Sequence, residues 1–342
     1  NNLIKIVTGI RRSGKSFLLF NLFHNHLIET GISEDHIIEI ALDDRLNKNL
    51  RDPDVILQHI HERIVDDKLY YIILDEVQMI DEFTDVLNSL LHIRNADVYV
   101  TGSNSKFLSK DVVTEFRGRG DEIHLFPLSF AELYNSIGGD KFELWKSYYT
   151  YGGLPGILEL DSEKKKAAYL RSLHETVYLK DIIERNNLKN SEEFMELMRV
   201  MASCIGSPCN PSKLENTFKS VKSETLDRKT ISKYLSYMED AFLIEKSMRY
   251  DIKGRKYIGT LSKYYFQDIG LRNALLNFRQ VEENHIMENV IYNELRLRGF
   301  CVDVGMVEAR TAKERKQLEV DFVANMADRR YYIQSAFAMP DD

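Results

Sequence analysis

VTGIRRSGKSFLLF, residues Val7–Phe20, decides how the rest of the chain is read. Gly9, Gly14, Lys15 and Ser16 stand at the spacing G-x-x-x-x-G-K-S, after the β-branched run LIKIV and before FLLFNLFHNHLIE, whose apolar residues recur at helical intervals. Strand, glycine loop and helix thus follow one another in the order a phosphate loop requires. A multiply charged phosphate needs many donors at one point. A loop that turns into a helix N-terminus supplies them as backbone N–H groups, backed by the positive end of the helix dipole. Gly9 and Gly14 permit the sharp turn and the close approach to the anion. Lys15 is expected to reach the β- and γ-phosphates and the Ser16 hydroxyl to complete the coordination of Mg²⁺, with Arg12, Ser13 and Phe17 completing the nucleotide-contacting stretch. The cofactors implied are ATP and Mg²⁺.

Hydrolysis also needs acids, and KLYYIILDEVQMI offers them: six apolar or aromatic residues, Leu69 to Leu74, run into Asp75 and Glu76. Such a run fits a strand buried on both faces of a parallel sheet, with polar residues at the carboxyl end where these sheets bind ligands. Asp75 is placed to hold Mg²⁺ directly or through water, and Glu76 to orient or deprotonate the attacking water. The competing reading is an acidic helix cap after a core strand. A third strand, ADVYVTGSN, ends in Ser103 and Asn104, so that Asn104 is either a γ-phosphate sensor or a turn residue. Arg117 and Arg119, in EFRGRGDEIHLFPLSF, are either fingers reaching the γ-phosphate of their own or a neighbouring subunit, or solvated loop arginines.

GIRRSGKS, YYIILDEVQ, VYVTGSNSKFLS, GRG…LFPLSF and YGGLP together resemble the bacterial and archaeal AAA-like P-loop ATPases that carry a C-terminal domain of unknown function with a restriction-endonuclease-like core. The first two motifs are common to many ATPases; the later succession is more specific, and the resemblance runs over nearly the whole chain. It implies an ATP-binding module, a winged-helix segment and a nuclease-like terminal domain. The expected fold is therefore α/β, a P-loop NTPase with a parallel sheet flanked by helices, followed by a helical and winged-helix region and a PD-(D/E)XK-like α/β domain.

The 342 residues suffice for two or three domains, and 44% apolar with 29% charged residues is ordinary for a globular protein. No apolar run approaches the roughly 18 residues of a membrane span, so no membrane partner is expected. Neither a signal peptide nor an initiator methionine is visible, and a trimmed chain is the expectation. Cys204, Cys209 and Cys301 make a poor disulfide framework and lack zinc-like spacing, which favours reduced, partly buried thiols in a cytoplasmic protein.

Changes of pattern give four expected segments: an ATPase domain over 1–127, a helical subdomain over 128–200, a winged helix over 201–265 and a truncated nuclease-like domain over 266–342. Strands are predicted near Leu3–Thr8, Ile37–Leu42, Leu69–Leu74, Asp97–Thr101 and Ile123–Phe126. GGLPG, Gly152 to Gly156, reads as a hinge or as a place of close packing against the ATPase domain. From Lys213 to Lys263 the chain is basic, with twelve Lys and Arg against seven Asp and Glu in a protein of net charge −7. Here a helix with the apolar face Ile231, Leu235, Met238 and Phe242 precedes two short strands. Arg228, Lys229, Thr230 and Lys233 are expected on the exposed start of that helix, and Arg249, Lys253, Arg255 and Lys256 on the wing, where DNA phosphates would lie. A protein-packing winged helix with a solvated basic face is the alternative, and a homo-oligomer or protein partner stays open.

Resemblance to the PD-(D/E)XK core puts Glu288 on a helix, Asp321 in one strand and Gln334 in the next. Such a centre uses two metal-binding acids and a lysine. The lysine position reads Ala336, which disfavours cleavage unless a lysine comes from elsewhere. Three functions compete: Mg²⁺-dependent ATP hydrolysis coupled to conformational change, an ATP-gated interaction module with little turnover, and an ATP-regulated metal-dependent nuclease.

Overall fold

The structure, a computed structural model, describes residues 3–102, 120–221, 226–279, 283–310 and 315–336. Ser103, Asn104, Arg117 and Arg119 lie outside the described residues. The chain divides into two compact units, 1–126 and 127–342.

The first unit is a five-stranded parallel sheet of β1 (Ile4–Thr8), β2 (Ile37–Ala41), β3 (Tyr70–Asp75), β4 (Ala96–Thr101) and β5 (Gly120–His124) in the order β2-β3-β4-β1-β5. The first four predicted strands form, and the fifth lies at Gly120–His124 rather than at Ile123–Phe126. Central β3 is apolar without alternation because both of its faces are covered: Ile72 and Leu74 join one buried cluster with Ile4, Ile38 and Val98, while Ile73 joins a second with Val7, Leu19 and Leu27. The glycine loop leads into α1 (Lys15–Phe17), which continues through a π-helical segment (Leu18–Phe23) into α2 (His24–Glu29). Two further helices, α3 (Pro53–Arg63) and α4 (Phe83–Leu90), join the strands. Asp52 caps α3 by accepting from the N–H groups of Asp54 and Val55, with Pro53 at the first position where its missing N–H is harmless.

The second unit begins with helices: α5 (Phe130–Ile137), α6 (Lys141–Tyr151), α7 (Glu163–Leu173), a π-helical segment (His174–Leu179), α8 (Lys180–Asn186), α9 (Ser191–Ser203), α10 (Pro211–Val221) and α11 (Arg228–Asp240). Ser129 and Glu132 form a reciprocal capping box that starts α5. After α11 come β6 (Ile244–Asp251) and β7 (Lys256–Phe266), then α12 (Ile269–Leu275), α13 (Glu283–Leu297), β8 (Cys301–Arg310), β9 (Arg315–Met326) and β10 (Arg329–Ile333). Strands β6 and β7 share one sheet with the last three, ordered β10-β9-β8-β6-β7, through a parallel pairing of β6 with β8.

The GGLP stretch is a close contact inside the second unit. A Cβ on Gly153 would stand 2.1 Å from the Leu128 carbonyl oxygen, and one on Gly152 2.4 Å from the Asp268 carboxylate. Asp268 is buried, accepts from the Gly153 N–H at 2.8 Å and caps α12 through the Leu271 N–H at 2.9 Å. Burial raises its pKa to about 6 against the lowering effect of these backbone bonds.

Three expectations about side chains need correction. Arg249, placed on the wing by sequence, is buried and donates to the Met306 sulfur, because its position on β6 faces the sheet's covered side. Lys263, part of the basic island, is buried on β7 among carboxylates. All three cysteines are free, but Cys301 is exposed rather than partly buried.

Candidate nucleotide and metal site

The glycine loop and the acidic strand end meet. β1 and β3 each lie beside β4, on opposite sides of it, so their carboxyl ends open on the same edge of the sheet. Ser16, one residue into α1, donates its hydroxyl to Asp75 Oδ2 at 2.7 Å. The two groups assigned to Mg²⁺ are thus in contact.

The loop is built for a close backbone approach. Gly9 has φ 138°, and a Cβ there would lie 2.2 Å from the Leu125 carbonyl oxygen, so only glycine fits between β1 and the chain leaving β5. Gly14 enters the helix in the left-handed region at φ 99°, and Arg12 holds φ 67°, an uncommon conformation for a residue with a side chain. Lys15 is buried and folds back over the loop, donating to the carbonyls of Gly9 at 3.0 Å and Ile10 at 3.1 Å. Ser13 Oγ is buried with no hydrogen-bond partner among the described residues, an arrangement that an anion in the loop would relieve. The Phe17 ring is exposed, which leaves its role to its backbone. These are observations that fit a bound triphosphate.

The acidic end has a fuller set of partners than the sequence suggests. Thr101, fully buried at the end of β4, donates to Asp75 Oδ1 and accepts the Glu76 N–H at 2.8 Å. Burial raises the Asp75 pKa above the usual carboxylate range; the Thr101 and Ser16 hydrogen bonds oppose this, and Glu76 and Asp43 add to it. A metal ion would reverse that balance, since a cation favours the ionised carboxylate. Glu76 sits at φ 53°, in the left-handed region, and its carboxylate accepts from the Gln78 amide. Backbone strain of this kind at a strand end accompanies functional placement of a side chain. At the other flank, Thr8 donates to Glu122 Oε1 at 2.7 Å, with His124 Nδ1 3.0 Å from the same hydroxyl, which fixes the residue that precedes Gly9.

Thr101, Gln78 and Thr8 escaped the sequence reading. Only the first had a signal: Thr101 opens the TGSN stretch whose later residues attracted notice.

In the second unit, the three residues assigned to a nuclease-like centre come together. Asp321 Oδ2 accepts from the Gln334 amide at 2.7 Å and the Ser335 N–H at 2.8 Å. Glu288 and Asp321 are linked through Lys263, whose ammonium lies 2.8 Å from Glu288 Oε1, 2.8 Å from Glu319 Oε1 and 3.6 Å from Asp321 Oδ1. Tyr265 donates to Glu288 Oε1 at 2.6 Å. A cavity of about 430 Å³ opens beside them, with Glu288, Asp321, Gln334 and Ala336 in its wall.

Arg228, Lys229 and Lys233 on α11, and Lys253, Arg255 and Lys256 at the β6–β7 turn, are exposed, whereas Thr230 is half-buried. Among the described residues no helix is long and apolar enough to cross a membrane.

A family model described as an AAA domain matches residues 1–134, and one described as a domain of unknown function (DUF8612) matches residues 142–282. A protein of Haemophilus influenzae, described as uncharacterized, is 33% identical over all of this chain and 84% of its own length. The uncharacterized protein MJ1544 of Methanocaldococcus jannaschii is 30% identical over 94% of this chain and 72% of its own. Among solved structures, the Aeropyrum pernix ORC1 protein in complex with DNA aligns at 11% identity and a TM-score of 0.30, covering 80% of this chain and 86% of that one. A TM-score of that size bears on neither function nor partner.

Proposed function

The chain belongs to the family of AAA-domain proteins that includes these Haemophilus and Methanocaldococcus relatives, and from that premise we propose that its first unit binds ATP with Mg²⁺ and hydrolyses it. The observation that carries this reading is the 2.7 Å contact between Ser16 and Asp75. It joins the loop that would hold the phosphates to the strand that would hold the metal. Bound Mg²⁺ would supply charge neutralisation at the β- and γ-phosphates. The loop N–H groups from Gly9 to Phe17 would cradle the phosphates, and Lys15 would exchange the Gly9 and Ile10 carbonyls for phosphate oxygens. Glu76 would orient the water and accept its proton. Asn104 and Arg119, outside the described residues, retain their proposed roles as γ-phosphate sensor and arginine finger.

Hydrolysis would drive rearrangement in the 127–342 unit. Helices α10 and α11 followed by the β6–β7 hairpin are consistent with a winged helix, and its exposed cations suit DNA phosphates. The buried Arg249 and Lys263 reduce the basic island that could touch DNA.

Two variants test the ATPase assignment. Lys15→Ala should abolish ATP binding, and Glu76→Gln should keep binding while phosphate release falls to background. Equal residual hydrolysis in both would refute the roles. Wild-type protein that binds ATP without phosphate release above background, with or without DNA, would establish a nucleotide-gated module instead.

A further inference from the structure

The acidic centre of the second unit has a composition that invites a divalent cation: Glu288 from α13 with Glu319 and Asp321 from β9. Its geometry points elsewhere. The Lys263 side chain is only 3% exposed and its ammonium makes contacts of 2.8, 2.8 and 3.6 Å with all three carboxylates. A cation thus already bridges the acids of α13 and β9. Two of the carboxylate oxygens have further donors: Glu288 Oε1 takes the Tyr265 hydroxyl in addition to Lys263, and Asp321 Oδ2 takes the Gln334 amide and the Ser335 N–H. Among the described residues, no group of three His, Cys, Asp or Glu side chains is disposed to hold a metal ion.

We propose that Lys263 is the resident cation of this centre and closes it to divalent metal, so that this centre does not work as a metal-dependent phosphodiesterase. The physical reasoning is a competition between two cations for one set of carboxylates. A Mg²⁺ or Mn²⁺ ion needs oxygen ligands at about 2.0–2.2 Å in octahedral geometry. To enter here it must displace an ammonium that is tethered, already desolvated and hydrogen-bonded, or sit beside it against like-charge repulsion. The lysine is also held in its charged form. Burial pulls its pKa down, but the charges and hydrogen bonds of Glu288 and Glu319 outweigh this and raise it above the usual lysine value. A lysine from elsewhere is the condition left for cleavage, and Lys263 does come from β7, but its ammonium is held by the carboxylates a metal would need, and Ala336 leaves the wall of the cavity uncharged at that point.

Mn²⁺ titration of nucleotide-free protein, followed by the electron paramagnetic resonance of free Mn²⁺, tests this without any reaction. Asp321→Asn identifies the signal that belongs to the centre. In wild-type protein Asp321→Asn should leave the titration unchanged. Lys263→Met, which removes the charge and keeps the bulk, should gain one site at least tenfold tighter than any background binding, and adding Asp321→Asn should abolish it. An Asp321-dependent Mn²⁺ site in the wild type would overturn the proposal. So would a folded Lys263→Met protein that gains no site. If Lys263→Met unfolds, its recovery by Mn²⁺ supports the proposal; failing that, the wild-type comparison decides alone. Plasmid nicking by the wild type in Mg²⁺ or Mn²⁺, lost with Asp321→Asn, would also overturn it. Neither result bears on Lys15 or Asp75, so the ATPase reading stands or falls separately.

Discussion

Replacing Thr101 with valine removes one hydroxyl and two hydrogen bonds at the junction of Asp75 and Glu76. Valine keeps the shape and the strand preference, so the loss is electrostatic. Thr101 is fully buried, and water has no ready access to the gap. The Glu76 N–H, bonded to Thr101 at 2.8 Å, loses its partner, a penalty of about 1–3 kcal/mol. The Asp75 carboxylate loses a charge-assisted bond, about 1.5–3 kcal/mol. Allowing for local relaxation, a net destabilisation of roughly 3 kcal/mol follows, and the midpoint of the 1–126 unit should fall by roughly 10 °C. Glu76 also loses the anchor that holds its backbone in the left-handed region, and each 1.4 kcal/mol of lost alignment in the transition state slows turnover about tenfold. The Thr101 bond is one of two that restrain the raised Asp75 pKa. Without it that pKa rises further, the carboxylate protonates at higher pH, and the acid limb of the activity profile moves up. Differential scanning calorimetry and phosphate release against pH read all three effects, with Thr101→Ser as the variant that restores them. A valine variant that melts within about 2 °C of wild type and hydrolyses ATP at the wild-type rate would refute the reasoning.

Asp268 has a folded pKa of about 6 against an ordinary value of 3.8, so the folded state binds the proton more tightly. Its contribution is therefore greatest below the lower value and is lost as pH rises through about 6, a change of roughly 3 kcal/mol. Urea unfolding of wild type and Asp268→Asn across this range should differ in slope with that sign, and parallel curves would exclude it. Gly153→Ala should destabilise the second unit by several kcal/mol, on the order of an overpacked core, because backbone rather than a movable side chain blocks the Cβ; near-native thermal stability would count against the contact. If α11 and the β6–β7 turn bind DNA, affinity should fall steeply with salt, and neutralising Lys253, Arg255 and Lys256 should flatten the slope by up to about three counterions, whereas Arg249→Gln should leave the slope unchanged.

The first unit was legible because its signals are local. Gly9 to Ser16 occupy consecutive positions, and the unbroken apolar run into Asp75 carries its own account of a doubly covered strand. The polar links that finish the site are not local. Thr101 reaches Asp75 across 26 residues, and nothing in the letters distinguishes that threonine from any other in a strand. Asp268 meets Gly153 across 115 residues, so GGLP announced a tight place, but the sequence pointed to the ATPase domain and not to this partner inside the second unit. The basic island misled for a related reason: composition counts charges, while the direction of each side chain depends on strand pairing. Arg249 and Lys263 add to the count and face inward.

That pairing has a consequence for the β6–β7 hairpin. β7 runs from Lys256 at the exposed turn to Phe266, and the β6 partners of Lys256 and Lys263, Asp251 and Ser247, are four positions apart, so Lys263 sits about 13 Å from the tip, beyond a shift of register opposite Met248 and Arg249. Shortening the turn leaves the lysine where it is. A slip of one residue in the regularly paired stretch from Ser262 to Phe266, by contrast, would present the neighbouring side chain to the carboxylates and swing the ammonium to the opposite face of the sheet. The alternation of one strand thus sets whether three acids have a counter-charge, and insertions or deletions there are far less tolerable than at the turn.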